Sequence, residues 1–111
     1  MQVLSTSEFK EMTQKQKDLD IINVLPSEAF KKAHIPGSVN IPVENTEFEH
    51  QVGSLVGDKN APVVVYCANT DCDASPKAAR RLEQAGFSKV YDFEAGLQGW
   101  KDAGFSVEGS A

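Results

Sequence analysis

The stretch "VVVYC", residues 63 to 67, restricts the fold more than any other part of the chain. It follows Pro62, which a strand start tolerates, and it contains no polar alternation. A strand with one face in water alternates, whereas an unbroken apolar run suits a central parallel strand covered on both faces. The polar loop 68 to 74, "ANTDCDA", comes next. Ser75 then offers an N-cap, Pro76 suits the first helical position, "KAARRLEQA" continues, and Gly86 closes the helix. This order predicts a strand, a loop and a helix, with Cys67 at the carboxyl end of the buried strand.

The rest of the chain repeats the alternation. "QVL" (2 to 4) reads as a short strand, and "STSE" (5 to 8) has the capping-box form ahead of Phe9 and Met12. "LDIINVL" (19 to 25) is a second strand, after which Pro26 and Ser27 start a brief helix carrying Phe30. "HIPGSVNIP" (34 to 42) holds a Pro-Gly turn and a short strand, and "NTEFEHQVGSL" (45 to 55) is a weaker helix candidate. "KVYDF" (89 to 93) and "LQGWKDAG" (97 to 104) supply a further strand and a last helix. The expected fold is α/β, with a mainly parallel central sheet of about five strands flanked by helices on both faces. It forms one domain over residues 1 to 111.

A chain of 111 residues with 41% hydrophobic and 24% charged residues can bury a core without staples. Its start, "MQVLSTSEFKEM", lacks the features of a secretion signal, and no apolar run approaches the ~20 residues of a membrane span. A cytoplasmic location without a membrane partner is expected. Net charge of -5 argues against nucleic acid, which requires an excess of Lys and Arg on one face. The locally basic "KAARR" (77 to 81) reads as a solvated helix face.

In a reducing compartment the two cysteines are expected to be thiols rather than a bridge. Their C-x4-C spacing misses both the C-x-x-C redox pattern and zinc spacings, and adding His34 and His50 does not repair it. No metal is expected. His34 reads as a backbone-bonding residue beside the Pro-Gly turn, and His50 as a surface residue of a helix. Trp100, Phe93 and Phe105 read as packing under the loop.

Open α/β sheets place ligands at the carboxyl ends of their strands, which is where Cys67 lies. The helix behind it points free N–H groups and the positive end of its dipole at the loop, favouring a thiolate or a bound anion. Cysteines ending core strands are commonly small buried hydrophobes. Against that, the polar loop "ANTDCDAS" offers Cys67 no apolar pocket on its distal side.

Three stretches carry a family likeness: "IINVLPSEAFKKAHIPGSVNIP" (21 to 42), "VVVYCANTDCDASPKAARRLEQAGF" (63 to 87) and "FEAGLQGWKDAGFSVEG" (93 to 109). In this order they resemble the signatures of the single-domain rhodanese-like sulfurtransferases. The resemblance implies that Cys67 accepts a sulfane sulfur as a persulfide and passes it to a thiol or cyanide acceptor. The donor would be thiosulfate, polysulfide or a persulfide, with a protein as a further possible acceptor. Loop residues Ala68, Asn69, Thr70, Asp71, Asp73, Ala74 and Ser75 would hold the sulfur chain, and no cofactor is implied.

The chain departs from that pattern in several places. Asn23, Val24 and Leu25 stand where the first signature usually reads Asp-Val-Arg, and Ala95-Gly96 where the tryptophan signature starts Gly-Gly. The loop is longer than the common one, lacks Arg and Lys, and carries Asp71 and Asp73, which disfavour a thiolate and repel thiosulfate. Lys77, Arg80 or Arg81 would compensate only if the helix turned them toward the site. Asp73 stands where phosphatases and arsenate reductases of this fold need a closing arginine, which excludes their chemistry.

Cys72 has three readings: a second sulfur carrier or resolving thiol, a loop residue without a role, or the nucleophile itself, because the inserted loop leaves the alignment open. A disulfide with Cys67 is allowed if the Cα atoms come within ~4.4 to 6.8 Å. The rival to a sulfurtransferase is a non-catalytic module that binds a partner or senses oxidants.

Overall fold

The computed structural model describes residues 1 to 109. The chain runs β1 (Gln2–Leu4), α1 (Thr6–Lys15), β2 (Asp20–Asn23), α2 (Ser27–Lys32), β3 (Val39–Asn40), α3 (Phe48–Val56), β4 (Val63–Tyr66), α4 (Ala74–Gln84), β5 (Val90–Phe93) and α5 (Gly96–Asp102). The strands form one sheet in the order β1-β5-β4-β2-β3, and every pairing is parallel. The unbroken apolar run is the middle strand, and all four of its residues are buried.

Side-chain parity along β4 assigns each residue to a layer. Val63, Val65 and Cys67 join Ile22, Val24 and Val90 against Phe48 and Val52 of α3 and Ala78, Ala79 and Leu82 of α4. Val64 and Tyr66 join Ile21 and Phe93 against Phe9 of α1 and Trp100 of α5. Each fully buried side chain of this size stabilises the fold by roughly 1.5–3 kcal/mol. Phe9 stacks on Phe93 at 4.5 Å between centroids and meets Trp100 edge-on at 5.6 Å.

Local signals explain several element ends. Ser5 accepts from the Glu8 amide at 3.1 Å while the Glu8 carboxylate accepts from the Ser5 amide at 2.8 Å, completing the capping box of α1. α4 starts one residue ahead of the expected N-cap: Asp73 occupies the cap position without a side-chain bond, and Ser75 lies inside the first turn. His34 Nδ1 donates at 2.8 Å to the Phe30 carbonyl of α2 and the ring stacks on Phe30, so it closes a helix rather than the Pro-Gly turn. His50 is exposed on α3 as expected.

Candidate active site

Three chain segments fix the backbone at Cys67. Tyr66, one residue before it, pairs with Asn23 of β2 and Phe93 of β5. The Cys67 carbonyl accepts from the Leu97 amide at 2.9 Å, and the Ala68 carbonyl from the Gln98 amide at 2.8 Å. Gly96 makes this docking possible, because its φ is +65° and a Cβ there would collide with the Cys67 carbonyl oxygen. The neighbouring departure from Gly-Gly is harmless: Ala95 has φ -64°, open to any L-residue.

The loop then doubles back on itself. Asn69 organises it, its side-chain oxygen accepting from the Asp71 amide at 2.9 Å and its carbonyl from the Cys72 amide at 3.2 Å. That turn returns Cys72 to Cys67, and the two are joined by a disulfide with Cα atoms 6.4 Å apart. The expectation of two free thiols is therefore corrected, because a side-chain-stabilised turn brings the sulfurs together across four intervening residues.

A second correction concerns the surroundings of Cys67. The expected lack of an apolar pocket does not hold: Cys67 is fully buried in the α3/α4 core, with Cys72 and Ala74 packed against the same cluster. Loop polarity misled because the polar side chains point outward. Asn69, Thr70, Asp71 and Asp73 are exposed, while Cys72, Ala68 and Ala74 are half-buried. The structure thus brings together Cys67, Cys72, Ala74 and Ser75, and leaves Asn69, Thr70, Asp71 and Asp73 on the rim.

Ser75 is 1% exposed, and its Oγ lies 3.6 Å from Cys67 Sγ. Behind it stands Asp92 of β5, a residue that the sequence reading passed over. Asp92 pairs in register with Val65 and is 2% exposed, and its Oδ1 is a buried oxygen without a hydrogen-bond partner among the described residues. Burial raises its carboxyl above the usual carboxylate range, an effect partly offset by a bond from Ser75. Glu94 also raises it and Arg80 lowers it. The signal was present in "KVYDF", where Asp92 shares parity with the buried Val90.

The cations of α4 do not replace the missing loop arginine. Arg81 turns away to a two-bond pairing with Glu49 at 2.7 Å per contact, donates to the Val43 carbonyl, and lies over the Phe48 ring. The guanidinium holds the Glu49 carboxylate below its usual range and is itself raised by that partner. Lys77 and Arg80 are exposed, with Arg80 acting on Asp92 through its charge.

The departures in the first signature are also accounted for. Asn23 donates to the Tyr66 hydroxyl at 3.1 Å and accepts from the Leu25 amide at 3.0 Å. An ionised aspartate could not donate to that hydroxyl. Leu25 packs against the α3/α4 core where the family's arginine would stand.

A groove of about 640 Å³ lies on the opposite layer, lined by Lys10, Ile35, Trp100 and Phe105 among others, and includes none of the loop residues. Among the described residues no His, Cys, Asp and Glu cluster suits a metal ion, and no helix is long and apolar enough to cross a membrane.

The rhodanese-like domain model matches residues 5 to 103, so the chain belongs to the rhodanese-like domain family. It is 31% identical over 100 residues to thiosulfate sulfurtransferase GlpE from Shewanella oneidensis, covering 90% of this chain and 92% of that protein. It is 32% identical over 94 residues to the HTH-type transcriptional regulator Rv0324 of Mycobacterium tuberculosis, covering 85% of this chain and 39% of the regulator. The chain therefore spans well under half of that relative. The solution structure of the rhodanese-like domain from the Anabaena Alr3790 protein superposes with a TM-score of 0.83 at 23% identity, over 99% of this chain and 80% of that one.

Proposed function

We propose that this chain is a sulfurtransferase that carries a sulfane sulfur as a persulfide on Cys67. The observation that carries this is the placement of Cys67: it ends the central strand, with its sulfur 3.6 Å from Ser75 Oγ in the first turn of α4. The similarity to a thiosulfate sulfurtransferase along 92% of that protein's length supports it. The disulfide is the oxidised form, and two thiols that leave joined as their own disulfide reduce it by two electrons and free Cys67.

The Cys67 thiolate then attacks the outer sulfur of the donor. A new S–S bond forms, the donor's S–S bond breaks, and the electron pair leaves with the donor thiolate or sulfite. An acceptor thiolate or cyanide attacks the outer sulfur in turn and regenerates the Cys67 thiolate. Ser75 can donate its hydroxyl hydrogen to that sulfur, and the remaining N–H groups of the first turn of α4 add positive potential.

The test is intact mass of the reduced protein after polysulfide or thiosulfate, and again after cyanide. The Cys72→Ser protein, in which the second thiol is absent, should gain one sulfur atom that cyanide removes, and Cys67→Ser should gain none. If no donor adds a cyanide-removable sulfur, the chain is not a persulfide enzyme.

The rival is a binding or redox-sensing module, favoured by the burial of Cys67 and by the diversion of Arg81 to Glu49. A single stoichiometric partner retained equally by wild type and Cys67→Ala, without sulfur transfer, would establish that role instead.

A further inference from the structure

Cys72 lies where it can act on whatever Cys67 carries. The bond between them shows that both sulfurs reach one another within the folded domain. Their Cα separation of 6.4 Å falls inside the ~4.4–6.8 Å that disulfides adopt. Cys72 is half-buried against the core that holds Cys67, and the Asn69 turn holds its backbone.

The same loop is poorly equipped to store an anionic persulfide. The Asp71 and Cys72 amides are already given to Asn69. The loop 68 to 74 has no Lys or Arg, and two carboxylates, Asp71 and Asp73, flank Cys72. Arg81, within reach by sequence, is held by Glu49 and Val43. A site built this way favours expelling the outer sulfur over keeping it.

We infer that Cys72 is a resolving thiol that makes the domain a sulfide-releasing reductase of polysulfides and low-mass persulfides. This rests on Cys67 accepting sulfur as proposed above. The Cys72 sulfur attacks Cys67 Sγ, the inner sulfur of the persulfide. The Cys67–Cys72 bond forms, the bond to the outer sulfur breaks, and that sulfur leaves as hydrosulfide with the proton of the Cys72 thiol. A dithiol reductant then supplies two electrons and two protons, opening the disulfide and becoming a disulfide itself. Over one cycle a persulfide and a dithiol become a thiol, hydrogen sulfide and an oxidised dithiol, so sulfur and hydrogen balance.

A single-turnover experiment without added thiol isolates the step, because an external thiol could remove the sulfur itself. Wild type, Cys72→Ser, Cys72→Ala and Cys67→Ser are reduced, freed of reductant under anaerobic conditions, and mixed with inorganic tetrasulfide. Non-reducing intact mass and sulfide are followed over time, with the Cys67→Ser sample as sulfide background. Wild type should finish two hydrogens lighter than its reduced form, releasing sulfide above that background. Both Cys72 variants should instead remain one sulfur atom heavier and lose it roughly tenfold more slowly or less. Circular dichroism shows which of the two variants keeps the fold.

Equal persistence of the added sulfur in wild type and a folded Cys72 variant would overturn the resolving role while leaving the Cys67 persulfide intact. Absence of added sulfur in the Cys72 variants, together with no disulfide in wild type, would overturn both.

Discussion

Tyr66 and Cys67 are consecutive at the end of the same strand, face opposite layers, and are both fully buried. Their polar surroundings differ completely. The Tyr66 hydroxyl accepts from the Asn23 amide at 3.1 Å and the Ile35 amide at 3.0 Å, and meets Ser38 Oγ at 2.8 Å. Ser38 in turn donates to the Ile35 carbonyl at 2.6 Å, so the hydroxyl hydrogen of Tyr66 goes to Ser38 and every valence is used. Burial raises the Tyr66 phenol, which therefore stays neutral.

On the other face, Cys67 has Ser75 at 3.6 Å, and behind Ser75 the Asp92 Oδ1 has no partner among the described residues. A closed network of neutral groups holds strands together. An incomplete one leaves a hydroxyl and a carboxyl beside the Cys67 sulfur. An unsatisfied buried oxygen costs about 1–3 kcal/mol, a cost that the closed face does not carry.

Breaking the closed side should have the largest effect on stability. Tyr66→Phe leaves the Ile35 N–H and the Asn23 amide without their acceptor, and should cost about 1–3 kcal/mol in chemical denaturation. Sulfur loading of the folded variant should survive. Loss of loading with unchanged stability would show that the two faces are not separable.

The open side should respond with the opposite sign. Burial lifts the Asp92 carboxyl, so its protonated form is favoured by folding. Stability from that proton is fully present below the ordinary aspartate value of 3.8 and is lost as pH rises through the raised folded value. Asp92→Asn removes the buried charge and should stabilise the oxidised protein at pH 7 by about 1 kcal/mol. The advantage should shrink as pH approaches 4. Thermal melts across that span would refute the assignment if the variant were the weaker at pH 7.

The smallest effect belongs to the rim. Asp71 and Asp73 are exposed and screened, so replacing both by Asn should raise the rate of sulfur uptake from thiosulfate only a few-fold at low salt. Uptake from uncharged persulfide donors should change less. An equal gain for all donors would remove charge repulsion as the cause.

Much of the architecture could be read directly. The run at 63 to 66, the Ser5 to Glu8 capping box and Gly86 each reflect a local preference that nothing in the tertiary structure opposes. Only the cap role expected of Ser75 fails, because a Ser-Pro pair is a strong local cap signal. The folded protein instead places its hydroxyl between Cys67 and Asp92, where two buried groups compete for it. Asp92 was overlooked for a related reason: one acid in an apolar strand looks like solvent-facing alternation until the register with Val65 assigns its layer.

Sequence alone determined the order of strands and helices, the position of Cys67 at the end of the middle strand, and the likeness to sulfurtransferases. The first two depend on periodicity, caps and turn residues, which act over a few positions, and the likeness rests on the three family-like stretches. Only the tertiary structure decided that Cys72 reaches Cys67, that Arg81 pairs with Glu49, and that Ser75 and Asp92 stand behind the sulfur. Each of those depends on where a loop returns or which partner a long side chain finds across the fold. Such choices come from competition among distant groups for burial and hydrogen bonds, and no local pattern in the chain records its outcome.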